Sequence, residues 1–187
     1  MPARSARPAT RKVRLPLAEV YRLLEPGPVV LVTTGGPGRP DVMTMSWLTM
    51  MEFEPPRVGC VISDRNHTFG RLVATRECVI NVPTVELARQ VVGCGNVSGR
   101  RVDKLRRFGL TAVAASKVGA PLLEECWASL ECRIADDRLV EEYGFFVLEV
   151  VAAWIDRARK DPRTLHHRGR GVFAVDGELL KLPSRKK

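Results

Sequence analysis

The chain has 187 residues, 45% of them hydrophobic and 27% charged, with 15 Gly and 13 Pro. This is the composition of one globular domain long enough to bury a core without disulfide staples. No run of about 18 apolar residues is present, which excludes a membrane-spanning helix, and no apolar run follows the basic start, which argues against a secretory signal. The formal net charge of +9 sits at the ends: residues 1–14 carry five cations and no acid, residues 181–187 carry four and no acid, and the stretch between them is neutral.

That distribution predicts a single domain over residues 15–182 between two disordered basic tails, 1–14 and 183–187. Solvated ends of this kind argue against a dedicated nucleic-acid surface. Leu17–Leu24 has apolar residues at helical spacing, with Pro16 ahead of it and Pro26-Gly27-Pro28 behind. Val29–Thr34 is a β-branched strand, Gly35–Pro40 a turn, and Val42–Met51 a second strand completing a hairpin. Arg57–Ser63 follows as a third strand. A short helix over Thr68–Thr75 leads into a strand at Cys78–Pro83. Val85–Val92 reads as a helix stopped by Gly93 and Gly95, and Arg101–Gly109 as a short basic helix with its own Gly stop. Trp127–Ala135 and Gly144–Ile155 are long strands, and Gly171–Leu182 forms a final hairpin. Strands dominate and the helices are short, so the fold class is mainly β with peripheral α-helices, a barrel rather than alternating βαβ units.

The five Cys (Cys60, Cys78, Cys94, Cys126, Cys132) form an odd set without a C-x-x-C pair. They read as buried, reduced thiols of a cytoplasmic protein, with no metal site. Gly35–Gly38 lacks the Lys-Ser/Thr of a P-loop, and Gly93–Gly99 lacks the spacing of a dinucleotide fingerprint, so a Rossmann-type site is disfavoured. Polar residues gather elsewhere. Thr44 and Ser46 share a strand face while Trp47 takes the other. Arg65, His67 and Thr68 precede or open a helix, where backbone amides, a hydroxyl and a guanidinium make a competent phosphate site. Ser98–Leu105 adds a second cationic cluster in which Asp103 is placed to orient Lys104. Each has a plain alternative that the residues alone leave open: ordinary β-formers, a Thr N-cap, an exposed basic helix face. The adjacent His166 and His167 point opposite ways on a strand, which argues against a shared metal. Met43, Met45, Met50 and Met51 suit core packing or an adaptable wall.

The order Thr44-Met45-Ser46-Trp47, Pro55-Pro56, Thr68, Asn81-Val82-Pro83 and Ser98-Gly99-Arg100-Arg101-Val102-Asp103-Lys104, followed by Tyr143–Val150, resembles the flavin reductase-like family of FMN-binding split β-barrels, to which flavoredoxin is related. The resemblance spans about residues 16–182. It implies a homodimer with FMN near the subunit interface. It implies that Thr44, Met45, Ser46 and Trp47 face the isoalloxazine or ribityl chain, and that Thr68 and Lys104 serve the phosphate with help from Arg65 and Ser98. Tyr143 and His167 stand near the flavin by position, and Phe173 with them. It further implies hydride transfer from NADH or NADPH to flavin and electron delivery to a flavin or protein acceptor, with no acid or base required of the protein. Two positions depart from the family pattern: Asp41 stands where Asn is common, and Tyr143 where His is common. A carboxylate at 41 accepts hydrogen bonds only and repels a nearby phosphate. An FMN-binding electron carrier, a basic-tailed nucleic-acid-binding protein and a pyridoxine-phosphate-type oxidase of the same barrel class are the rival readings.

Overall fold

The computed structural model describes residues 11–20 and 27–183. Strands β1 (Val13–Leu15), β2 (Val30–Thr34), β3 (Asp41–Met45), β4 (Leu48–Phe53), β5 (Pro56–Val61), β6 (Glu77–Val82), β9 (Ala128–Asp136) and β10 (Phe145–Ile155) make one antiparallel sheet in the order β3-β2-β6-β9-β10-β5-β4, with β1 also paired to β10. Two short hairpins complete the strands: β7 (Ala112–Val113) with β8 (Leu122–Leu123), and β11 (Leu165–Gly169) with β12 (Val172–Val175). Helices α1 (His67–Thr75), α2 (Ala88–Asn96), α3 (Lys104–Phe108) and α4 (Val140–Tyr143) lie outside the sheet. This is the split β-barrel the sequence predicts. Among the described residues no helix is long and apolar enough to cross a membrane.

The apolar run at Val29–Thr34 is continuous because β2 is buried on both faces. Val30 and Val32 enter the barrel core with Met43, Met45, Ile80, Leu130 and Phe146. Leu31 turns outward and meets Val42, Leu87, Val91 and Cys94 under α2. Fully covered strands lose the polar alternation of half-exposed ones. All five thiols are free and buried, and Cys78 pairs with Cys132 across β6 and β9.

Several boundaries differ from the sequence reading. Val42–Met51 is two strands: β3 pairs with β2, β4 pairs with β5, and Ser46-Trp47 carries the chain between them. Gly93 and Gly95 do not stop α2, which runs to Asn96. A Cβ at Gly93 would fall 2.4 Å from the Phe108 ring, so this glycine lets α3 press against α2. The last hairpin begins at Leu165, earlier than expected, and residues 176–183 have no regular structure. The 15-residue boundary also moves. Lys12 is buried with its ammonium on the carbonyls of Leu123 (2.6 Å) and Glu124 (3.1 Å), and β1 starts at Val13, so the barrel reaches into the stretch assigned to the first tail. Of the helix expected at Leu17–Leu24, Leu17–Glu19 forms a 3-10 turn, and its second half lies outside the described residues.

Candidate functional site

Two adjoining pockets share Thr44, Gly95 and Asn96 and together form one cleft between β3, α1, α2 and the β11–β12 hairpin. The first, about 260 Å³, is lined by Val29, Met45, Ser46, Val91 and Val92 together with His167 and Phe173 of the last hairpin. The imidazole of His167 and the ring of Phe173 lie with centroids 5.3 Å apart. The second pocket, about 240 Å³, is mainly polar and is lined by Arg65, Asn66, His67, Thr68, Ser98, Gly99 and Lys104. A cleft with a mixed apolar and polar end and a cationic end suits a ring system carrying an anionic group.

At the polar end the side chains converge on Asp41, the first residue of β3, which is only 4% exposed. Thr68, inside the first turn of α1, does not cap the helix; its hydroxyl donates to Asp41 Oδ2 at 2.9 Å. His67 Nδ1 lies 3.3 Å from the same oxygen. Lys104 opens α3, and its buried ammonium donates to the Val42 carbonyl at 2.7 Å. It stands 3.9 Å from Asp41 Oδ1, too far for a hydrogen bond but close enough for charge pairing. Burial holds the Lys104 pKa below the ordinary lysine value, and Asp41 pulls it partway back. Cys94, which lines the same pocket, is pushed up to about 11 by burial despite the opposing charge of Lys104. Asp103 does not orient Lys104; its carboxylate caps α3 by accepting from the Arg106 amide at 3.1 Å. Gly99 is tied to this arrangement, since a Cβ there would fall 2.0 Å from Asp41 Oδ1.

The structure brings Thr44, Met45, Ser46, Arg65, Thr68, Ser98, Lys104 and His167 to this one cleft. Thr44 is already engaged, its hydroxyl donating to the Val91 carbonyl at 2.5 Å. Trp47 and Tyr143 do not line the cleft and are 71% and 60% exposed. Trp47 sits in the link after β3, beyond the strand pleat that its placement assumed, and Tyr143 ends α4. His166 faces away from His167 and pairs with Asp176 at 2.6 Å. Sequence reasoning missed Val91, Val92, Gly95 and Asn96, the face of α2 that floors the cleft. The signal for them was the continuation of the apolar spacing through Gly93. Asn81, part of the motif pattern, is structural: wholly buried, it donates to the Leu31 carbonyl and accepts from Leu123 N and Ser129 Oγ.

The flavin reductase like domain family matches residues 22–175, and the chain belongs to that family. Among its relatives, the uncharacterized protein YddH of Escherichia coli K12 is 34% identical over 185 residues, covering 91% of this chain and 98% of that one. The FMN reductase (NADH) RutF of Bradyrhizobium diazoefficiens is 27% identical over 124 residues, covering 66% of this chain and 67% of that one. The crystal structure of an FMN-binding domain of a flavin reductases-like enzyme from Shewanella baltica OS155 superposes with a TM-score of 0.87 at 27% identity, covering 92% of this chain and 97% of that one.

Proposed function

We propose that this chain is an FMN-binding oxidoreductase that takes reducing equivalents from NADH or NADPH and passes them to a flavin or protein acceptor. The observation that carries the reading is the two-ended cleft, ring-sized and less polar at one end, cationic at the other, in a chain of this family. The donor set fits a phosphate monoester: the Arg65 guanidinium, the Lys104 ammonium, the hydroxyls of Ser98 and Thr68 and the opening turn of α1. Thr44, Met45 and Ser46 would border the flavin ring on one side and His167 with Phe173 on the other. Bound there, FMN would supply the hydride-accepting chemistry. The protein's part is to hold the phosphate, keep the ring plane fixed and leave room beside it for a nicotinamide. The RutF relative, an NADH-dependent FMN reductase by name, supports a nicotinamide donor.

We place this activity in the cytoplasm, supported by five buried, reduced thiols, and in a homodimer. Trp47, Met51 and Phe53 expose apolar surface on and before the edge strand β4, close in sequence to the cleft residues, and a second copy would cover them. Flavin absorbance in the purified protein, followed by FMN titration and steady-state oxidation of NADH and NADPH, tests the reading. Tight FMN without nicotinamide oxidation would favour an electron carrier instead; no flavin binding at all would refute the proposal. Sedimentation of the FMN-loaded protein tests the dimer, which a flavin-retaining monomer at high dilution overturns.

A further inference from the structure

Behind the polar end of the cleft, just beneath its lining, lies a buried carboxylate. Asp41 draws together Thr68 (2.9 Å), His67 (3.3 Å) and Lys104 (3.9 Å). Two of these, Thr68 and Lys104, are the groups to which the phosphate was assigned. Arg65 is the contrast: it lines the same pocket, is exposed, and makes no side-chain hydrogen bond or ion pair among the described residues. The carboxylate is built into its place. It is almost fully buried, and the Ser98–Arg100 turn passes so close that only a glycine fits at 99. Arg39 donates to the Gly99 carbonyl at 3.1 Å and pins that turn.

We infer that Asp41 is a specificity-determining residue of this subsite, a resident anion that spends the charge of Lys104 inside the protein and so weakens the discrimination of FMN from riboflavin. The inference rests on the flavin reading above. A phosphate monoester near neutral pH carries close to two negative charges. Seated against Lys104 and Thr68, it would stand within a few ångströms of the carboxylate, where like charges repel. With Asp41 in place, Arg65, Ser98 and backbone amides carry more of the attraction, and the ammonium contributes less than an uncompensated cation would. Riboflavin, which has no phosphate, meets none of that repulsion. The subsite would then hold FMN less tightly than its cations alone suggest, and accept uncharged flavins with comparatively little loss. Such a site suits flavin that is exchanged as a substrate better than flavin held as a permanent group.

The test is a titration of FMN and riboflavin into the full chain and into Asp41→Asn and Asp41→Ser. Removing the carboxylate should tighten FMN at least tenfold, about 1.4 kcal/mol, while riboflavin changes less than about threefold. Asp41→Glu, which keeps the charge, should leave the ratio of the two affinities near that of the wild type. Thermal melts report whether each variant folds, and the serine variant carries the same expectation should the asparagine variant be unstable. Neutral variants that fold and bind both flavins with an unchanged or lowered FMN preference would overturn the inference, because Asp41 would then only position Thr68 and Lys104. Failure of every protein, wild type included, to bind either flavin would overturn the flavin reading and this inference with it.

Discussion

Glu131 and Asp41 are both carboxylates removed from solvent, and the barrel treats them in opposite ways. Glu131 on β9 is wholly buried and saturated by neutral donors: the Ser116 amide (2.9 Å) and hydroxyl (2.9 Å), the Lys117 amide (2.5 Å) and the Trp154 indole (2.7 Å). Those bonds fasten the 116–117 loop and β10 to β9, and they open onto no cleft residue. Asp41 has one short hydrogen bond, from Thr68, and two looser neighbours, His67 and Lys104, and all three line a cleft. A buried anion surrounded by fixed neutral donors is a structural joint. One held by a single short hydrogen bond and paired at longer range with a lysine ammonium, beside open space, is an electrostatic setting that a ligand can change.

The largest effect should come from breaking the joint. Glu131→Ala leaves an indole N–H and two amides without a partner, each costing about 1–3 kcal/mol when buried. A loss of roughly 3–5 kcal/mol in urea unfolding is expected; a loss under about 1 would show that water replaces the carboxylate and that the two regions differ less than the geometry says. At the cleft, Lys104→Ala should weaken FMN roughly tenfold to a hundredfold with riboflavin almost unaffected, since a hydrogen bond to a charged group is worth about 1.5–3 kcal/mol. The resident carboxylate places the outcome toward the lower end of that range, and equal losses for the two flavins would refute the phosphate assignment. Thr68→Val should act in the same direction by less, and should cost the fold about 1 kcal/mol through the lost bond to Asp41.

The smallest effect is in pH dependence. Burial lowers the folded-state pKa of Lys104 below the ordinary 10.5, so the unfolded chain holds that proton more tightly. Between the lowered value and 10.5 the unfolded state binds more protons, and stability rises as pH rises. Lys104→Met should flatten that rise in urea unfolding measured from neutral pH to 10.5. It should not abolish it, because Lys12 is shifted down by burial as well. An unchanged slope would mean that Lys104 is solvated in the folded protein.

Apolar runs made the barrel legible. β2 and β6 are buried at almost every position, and β5, β9 and β10 along much of their length, and such segments read plainly from their residues. The break at Ser46-Trp47 did not, because neither Gly nor Pro marks it and the pairing partner on each side is set by distant strands. The two-residue strands β7 and β8 fall below any periodicity. Residue types and motif order drew Thr44, Thr68 and Lys104 together, but not the identity of what they surround. Asp41 meets Thr68 and Lys104 across 27 and 63 positions of chain, and only the folded barrel shows that the carboxylate is the centre of the group. Gly93 was read as a stop because glycine ends helices often; its actual reason, the ring of Phe108, lies on a different helix.

The sheet's two outermost strands, β3 and β4, are neighbours in sequence, joined by Ser46 and Trp47 with no ladder between them. The barrel thus has a seam, held by chain connectivity where other strand pairs are held by hydrogen bonds, and Ser46 lies both on that seam and in the wall of the cleft. Widening the cleft at this point breaks no inter-strand bond. Breathing along the seam is therefore expected to cost less than opening a hydrogen-bonded pair of strands, and it would give the proposed flavin a way in and out that leaves the core undisturbed. Amide exchange should find the seam first, with the outer edges of β3 and β4 losing protection well before β6 and β9.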